Sequence, residues 1–159
     1  MMDPKELDIV DVPPVKKRIY LYPGFASSDQ FVAPWWIRQQ GCQPYERWAS
    51  ISRSGMEVAR VKFNLREGPQ EHPLLGHLAH GYVDILLFEV AVSARGQGVG
   101  RAVLEAIQQR YPRARLTALN DDDDSRGFWD RVGWTRHENP DPLMRASRAE
   151  YSRPVDTVR

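Results

Sequence analysis

The order of apolar and polar positions predicts strands and helices most clearly in the second half of the chain. Residues 84–92, DILLFEVAV, are apolar at all but two positions, as a central strand covered on both faces would be. Residues 99–107 then place apolar side chains at helical spacing. Residues 114–120, ARLTALN, predict a further strand, and residues 123–133, DDSRGFWDRVG, predict a short amphipathic helix.

The first half of the chain gives weaker signals. Residues 1–15 are polar and contain prolines, which predicts a flexible N-terminal arm. Residues 27–41 favour one or two helical turns, and residues 66–81 favour a loop. Strands are predicted at 18–23, 45–53, 56–65, 134–138 and 143–149. A C-terminal tail is expected over 151–159, and the whole order indicates one mixed αβ domain.

Composition limits the classes of function. The chain has 159 residues, 42% hydrophobic and 27% charged, an ordinary balance for one globular domain with its own core. A formal net charge of +1 creates no global field that would favour nucleic acid or an anionic membrane. The single cysteine, Cys42, excludes an internal disulfide framework, and no apolar run has the length of a membrane span. We therefore expect a cytoplasmic protein with no membrane or nucleic-acid partner.

The stretch SARGQGVGR, residues 93–101, stands between the predicted central strand and the helix that follows it. Glycines let an anion approach the backbone N–H groups that a helix leaves unpaired at its N-terminus. Arg95 and Arg101 would add positive charge. The alternative is a tight strand-to-helix turn whose glycines serve geometry alone. The spacing matches neither the Walker motif, which needs Gly-Lys-Ser/Thr, nor the dinucleotide fingerprint Gly-x-Gly-x-x-Gly.

The spacing Arg95-x-x-Gly98-x-Gly100 resembles the Gln/Arg-x-x-Gly-x-Gly/Ala signature of the GNAT superfamily of N-acetyltransferases, which bind the pyrophosphate of acetyl-coenzyme A. FEVAVSARGQGVGRAVLEAI is similar to the family's fourth strand and following helix, and LTALN with SRGFWDRVGW to its fifth strand and next helix. The resemblance implies an α+β fold in three αβα layers, with helices flanking a mixed, mostly antiparallel sheet of about six or seven strands. It also implies one domain over 16–150, with an acceptor side over 16–80 and a coenzyme-binding side over 81–150.

This resemblance implies a coenzyme site around the glycine loop. Backbone groups at the strand end would pair with the pantetheine arm as an added strand, unless another part of the protein takes them. The loop backbone would hold the pyrophosphate. Asn120 and Trp129, further along the chain, would lie near the coenzyme. The alternatives are a turn residue at the strand end for Asn120 and a core residue for Trp129. The residues expected to bind the coenzyme are Val90, Ala91, Val92, Arg95, Gly96, Gln97, Gly98, Val99, Gly100, Arg101, Asn120 and Trp129.

Two carboxylates of the central strand are candidate catalytic residues. Acyl transfer needs a neutral amine, and Glu89 inside the strand or Asp84 at its start could accept the amine's proton. The alternative for Glu89 is a structural pair with an arginine. The family's usual general acid is a tyrosine, and the corresponding pair here is Phe128-Trp129. An indole N–H donates a hydrogen bond but supplies no proton at ordinary pH, so the acid remains unassigned.

The sequence therefore predicts an N-acetyltransferase that transfers an acetyl group from acetyl-coenzyme A to an amine of an unidentified acceptor by direct attack. Three alternatives stay open: a catalytically silent coenzyme-binding protein, an acyltransferase acting on a protein or an aminoacyl-tRNA as a toxin would, and an unrelated nucleotide-binding module. No metal is expected, because His72, His77 and His80 lack the cysteine or carboxylate pattern that closes a site. A homodimer also stays open.

Overall fold

The computed structural model describes residues 2–40, 43–120, 123–138, 141–143 and 149–155, with backbone alone at 120 and 123–126. Cys42 and residues 156–159 of the predicted tail lie outside the described residues. The strands are β1 (Leu7–Asp11), β2 (Val15–Lys17), β3 (Tyr20–Tyr22), β4 (Glu46–Arg53), β5 (Met56–Arg66), β6 (Gln70–His72), β7 (Gly76–Leu78), β8 (Tyr82–Val90), β9 (Arg115–Asn120), β10 (Thr135–Glu138) and β11 (Ala149–Ser152). The helices are α1 (Val99–Arg110) and α2 (Asp123–Arg131), and 3-10 turns cover Pro4–Glu6, Pro34–Trp36 and Val92–Ala94.

The chain forms two compact units that alternate along the sequence. The first comprises Met1–Asn64 and Leu87–Arg110, and the second comprises Leu65–Leu86 and Tyr111–Arg159. The boundaries fall inside β5 and β8, so both strands contribute residues to each unit. The division into an acceptor side over 16–80 and a coenzyme-binding side over 81–150 stays a prediction.

In the first unit, β4 pairs antiparallel with β1 and with β5. Ser54 and Gly55 turn the chain between β4 and β5 with positive φ angles of 51° and 79°, as a tight hairpin requires. β5 is hydrogen-bonded to β8, which leads through the glycine loop into α1. The apolar side chains of α1 are buried because they recur on one face of the helix. α1 has 12 residues, and no helix in the described part of the chain is long and apolar enough to cross a membrane.

In the second unit, β8 pairs parallel with β9, from Tyr82 opposite Arg115 to Ile85 opposite Ala118. β11 pairs antiparallel with both β9 and β10. Because β8 takes part in pairings of both units, seven strands are hydrogen-bonded in the order β1-β4-β5-β8-β9-β11-β10. The predicted α+β fold with a mixed, mostly antiparallel sheet is confirmed.

The N-terminal residues differ from the predicted flexible arm. Leu7–Asp11 form β1, in register with the residues from Arg53 back to Ala49 of β4. Leu7 is buried, and Arg110 at the end of α1 donates to the Ile9 carbonyl at 3.0 Å. The run LDIVD is a strand because β4 offers it a hydrogen-bonding edge, which the polar, proline-containing sequence around it does not reveal.

Four other segments can be compared only in part with the prediction or agree with it only in part. The predicted loop over 66–81 contains the hairpin β6–β7, closed by Gly76 at a φ of 76°. Within 27–41 the described residues contain one helical turn, as predicted, and it is the 3-10 turn Pro34–Trp36. The strand predicted at 18–23 is shorter and pairs with β2 in a separate two-stranded sheet. Of the last strand, predicted at 143–149, residues 144–148 lie outside the described residues, and β11 extends from Ala149 into the expected tail.

Candidate functional site

The glycine loop joins the end of β8 to the start of α1. Gly96 and Gly98 have φ angles of 74° and 79°, which residues with side chains rarely adopt. A Cβ added at either glycine would meet no atom within 4 Å, so the space beside the loop is open. Residues 95–98 are exposed, whereas Val99 is buried in the first turn of α1. The backbone of Gly96 and Gly98 is thus open to solvent, and the buried Val99 anchors the end of the loop.

The start of α1 carries no side-chain cap at its preceding residue. The first intrahelical hydrogen bond runs from the Ala102 N–H to the Gly98 carbonyl at 3.2 Å. Val99 and Gly100 precede it, and the N–H groups of the first helix positions have no intrahelical acceptor. Gly98 has no side chain that could cap them. Such a helix start favours an anion, through its N–H groups and the positive end of the helix dipole.

A 3-10 turn and one glutamine side chain fix how the chain enters the loop. Within the turn, the Ala94 N–H donates to the Ala91 carbonyl at 2.9 Å. Gln97 donates from Nε2 to the Ser93 carbonyl at 3.1 Å. The Ser93 N–H in turn donates to Gln30 Oε1 at 2.9 Å. The predicted binding residue Gln97 therefore directs its side chain to the protein's own backbone.

The N–H and C=O groups of the backbone at the end of β8 point to opposite sides of the strand. The Ala91 N–H donates to the Val58 carbonyl of β5 at 2.8 Å, and the Val92 N–H donates to the Gln30 carbonyl at 3.0 Å. These contacts agree with the alternative that other parts of the protein take these two amides. The C=O and N–H of one trans peptide point in opposite directions, so the Val90 carbonyl faces away from β5. Pairing with a pantetheine arm stays a prediction, for which Val90 offers the carbonyl.

Glu89 accepts hydrogen bonds at both carboxylate oxygens. Its Oε1 accepts from Trp36 Nε1 at 2.7 Å and from the Ala33 N–H at 3.1 Å. Its Oε2 accepts from the Val32 N–H at 2.9 Å and from Arg95 Nη2 at 3.3 Å. Only 8% of the Glu89 surface is exposed. The carboxylate therefore holds the segment around Pro34–Trp36 on β8, and it pairs with an arginine, as the structural alternative expects.

Arg95 follows β8 and folds back on its end. Its Nε donates to the Val90 carbonyl at 3.2 Å, while its Nη2 reaches Glu89. The side chain is 51% exposed, so solvent covers half of it. In this structure the arginine contacts the strand end.

A buried arginine marks the interior next to this strand. Arg60 on β5 is 2% exposed and forms an ion pair with Glu57 at 2.9 Å. Its guanidinium lies 4.6 Å from the ring centroid of Phe25 and 4.2 Å from that of Phe31, and it donates to the Ala26 carbonyl at 2.7 Å. A charge so enclosed needs all of these partners. No sequence signal marks Arg60 as buried, because a lone arginine in a strand is usually exposed.

The second unit holds a carboxyl pair of which the sequence predicted only one member. Asp84 lies opposite Thr117 on β9, and Thr117 Oγ1 donates to Asp84 Oδ1 at 2.8 Å. Burial, the charge of Asp84 and a hydrogen bond with it raise the pKa of Glu150 on β11 to about 9, although a hydrogen bond with Thr117 lowers it. This raised pKa favours the protonated form of Glu150. Only the pairing of β8, β9 and β11 brings it to Asp84, and no local motif could have indicated this.

His72 is buried in the same unit. Its Nδ1 accepts from two backbone N–H groups of the following turn, at 3.1 and 3.2 Å, and its ring meets Tyr82 edge-on at 4.9 Å. Burial lowers the pKa of His72, Asp84 partly offsets this, and His137 and Arg115 lower it further. Among the described residues, no group of three or more His, Cys, Asp or Glu side chains is arranged to hold a metal ion.

Trp129 packs inside the second unit. It is 4% exposed, and its ring lies 4.8 Å from that of Trp134 and 6.2 Å from that of Tyr151. These contacts agree with the alternative of a core tryptophan. Asn120 ends β9, and its side chain lies outside the described part of the chain.

Sequence comparison and structure comparison give different results for this chain. No protein-family model matches the sequence, and a search of curated protein sequences finds no significant match. An acetyltransferase structure from Thermus thermophilus matches with a TM-score of 0.53 at 18% identity, over 70% of this chain and 66% of that one. The match thus spans slightly less than two thirds of the Thermus protein.

Two further solved structures have similar scores. The Bacillus subtilis N-acetyltransferase YlbP, in complex with coenzyme A, matches with a TM-score of 0.52 at 18% identity, over 70% of each chain. A KacTA–DNA complex matches with a TM-score of 0.50 at 11% identity, also over 70% of each chain. At such identities the likeness shows the fold alone: this chain has the fold of the GNAT acetyltransferases.

Proposed function

We propose that this chain is an N-acetyltransferase that transfers an acetyl group from acetyl-coenzyme A to a primary amine of its acceptor. One observation carries the proposal: an open loop with Gly96 and Gly98 at positive φ leads into a helix start that its preceding glycine cannot cap. The fold, shared with solved acetyltransferases, supports it. The turn at Gly55 has the same φ and the same open space, so what distinguishes the loop is the helix start that directly follows it.

The loop would hold the diphosphate of the coenzyme through its backbone. N–H groups from Gly96 to Arg101 would donate to phosphate oxygens, which approach closely because glycine has no Cβ. Arg101, exposed on the first turn of α1, and Arg95 would add charge-assisted hydrogen bonds. The Val90 carbonyl would accept a hydrogen bond from an amide of the pantetheine arm. Asn120 stays a proposed neighbour of the coenzyme.

The reaction would form a C–N bond between the amine and the acetyl carbon and break the C–S bond of the thioester. The amine gives up a proton and the leaving thiolate gains one. The four donors on Glu89 favour a positioning role for it rather than proton transfer. Asp84 is the proposed proton acceptor; its charge contributes to raising the pKa of the neighbouring Glu150.

A catalytically silent coenzyme-binding protein is the second candidate. The burial of Trp129, at the position where the family's general acid is a tyrosine, favours it. This candidate predicts uptake of coenzyme A without release of thiol for any amine.

A thiol-release assay with acetyl-coenzyme A tests the proposal. The acceptor panel contains small primary amines, peptides with free N-termini or lysines, and aminoacyl-tRNA. We expect release with one acceptor class, and an Asp84→Asn variant should lower kcat by about a hundredfold because it removes the base. Asp8→Asn, on the exposed side of β1, is the matched control and should leave kcat unchanged. Coenzyme uptake without any thiol release favours the silent protein, and no uptake at all contradicts both candidates.

A further inference from the structure

Arg95 donates to the backbone carbonyl that the proposed coenzyme would need as a hydrogen-bond acceptor. The Val90 carbonyl points away from β5, because the Ala91 N–H of the same peptide donates to Val58. Arg95 Nε covers this carbonyl at 3.2 Å. A pantetheine arm added alongside β8 would need the same acceptor, so the arm and the arginine compete for it.

The contacts of Arg95 can be exchanged at low cost. Its bonds of 3.2 and 3.3 Å are longer than the roughly 2.7–2.9 Å of a strong charge-assisted hydrogen bond. Glu89 keeps three other donors when the guanidinium leaves, from Val32, Ala33 and Trp36. Both carboxylate oxygens of Glu89 therefore keep a hydrogen-bond donor when the Arg95 side chain moves away.

We propose that Arg95 is a clasp that closes the end of β8 in the free protein and is opened by the diphosphate of the coenzyme. This inference rests on the proposed function. The diphosphate competes for the Arg95 guanidinium with two weak contacts, one to the Glu89 carboxylate and one to the Val90 carbonyl. When Arg95 turns to the phosphates beside Gly96, the Val90 carbonyl is uncovered for the pantetheine arm. The nucleotide end of the coenzyme thus binds first and prepares the site for the arm that carries the acyl group.

Binding of the two halves of the coenzyme tests the clasp. ADP supplies the diphosphate without the arm, and pantetheine supplies the arm without the diphosphate. Titrations followed by backbone amide NMR shifts give both affinities for the wild type, Arg95→Ala and Arg101→Ala. Arg95→Ala should weaken ADP binding about tenfold and tighten pantetheine binding about three- to tenfold, because one competing hydrogen bond is gone. Arg101→Ala, which removes a cation from the same loop, should weaken ADP binding and leave pantetheine binding unchanged.

The wild type provides a second readout. Saturating ADP should tighten pantetheine binding to the wild type and have no such effect in Arg95→Ala. Equal pantetheine affinity in the wild type and Arg95→Ala overturns the clasp, even where coenzyme A binds well. A wild type that takes up neither ADP nor coenzyme A overturns the proposed function and this inference together. Since half of the Arg95 side chain is exposed, the variant should fold, which its thermal unfolding curve verifies.

Discussion

The indole of Trp36 donates to Glu89 Oε1 at 2.7 Å, across 53 residues of sequence. This bond ties the 3-10 turn Pro34–Trp36 to the strand that leads into the glycine loop. A buried carboxylate is stable only where donors replace its lost water, and here a tryptophan, two backbone amides and Arg95 do so. Glu89 thus organises the first unit around the loop.

Removing the Glu89 carboxylate should destabilise the protein strongly. Glu89→Ala leaves Trp36 Nε1 and the amides of Val32 and Ala33 without their acceptor, and we expect a loss of about 3 kcal/mol in the free energy of unfolding. Trp36→Phe removes one of these bonds and keeps most of the ring packing, and should cost about 1 kcal/mol. Urea unfolding measures both. Equal losses in the two variants would show that the carboxylate is not the centre of the network.

Glu89 should act on turnover through position and not through proton transfer. Glu89→Gln keeps the size of the side chain but brings an NH₂ group to donors that need an acceptor. We expect a lower kcat with the same shape of its pH profile as in the wild type. Loss of the ascending limb of that profile would instead identify Glu89 as the base.

Glu150 should make the stability of the protein fall as pH rises. Its pKa in the folded state is raised to about 9 from an ordinary 4.5, so between these values the folded state binds more protons than the unfolded state. The free energy of unfolding therefore decreases across this window. In Glu150→Gln this contribution disappears, and the variant should gain stability relative to the wild type as pH increases from 5 to 9. Denaturant unfolding at several pH values measures the difference, and a difference that does not change with pH would contradict the assignment.

The loss of stability at low pH should depend on a different residue of the second unit, His72. Burial lowers the pKa of His72, so its neutral form contributes stability that is lost as pH falls through and below the ordinary histidine range. Glu150→Gln should retain this acid loss, whereas His72→Gln should reduce it. The same unfolding series separates the two groups, because Glu150 makes the free energy of unfolding fall as pH rises whereas His72 makes it rise, so the two variants change the profile with opposite signs.

Arg60 should be essential to the interior of the first unit. Arg60→Leu leaves the Glu57 carboxylate without its cation and the Ala26 carbonyl without its donor. We expect a loss of about 3 kcal/mol, as for other buried ion pairs from which one partner is removed. Arg53→Leu is the matched control, since its ion pair with Glu6 lies at the surface and should contribute little. Similar losses in both variants would rule out a special role for the buried pair.

Local patterns predicted the parts of the fold that local physics determines. The apolar run of β8, the glycines before α1 and the helical spacing within α1 each depend on neighbouring residues, and the structure places them as expected. β1 was missed because its pairing with β4 depends on residues more than 30 positions away. The partners of Glu89 and the meeting of Asp84 with Glu150 likewise depend on strand pairing, which no single stretch of sequence encodes.

The most direct test of the account is calorimetric titration of coenzyme A into the wild type, Gly98→Ala and Gly55→Ala. Both glycines have a φ of 79° and open space around the added Cβ, so both substitutions should cost a similar strain of about 1–2 kcal/mol. Gly55 lies in the β4–β5 turn, so Gly55→Ala should bind coenzyme A as the wild type does, whereas Gly98→Ala should bind at least tenfold more weakly. No uptake by the wild type, or equal affinity in all three proteins, would contradict the claim that this loop binds the coenzyme.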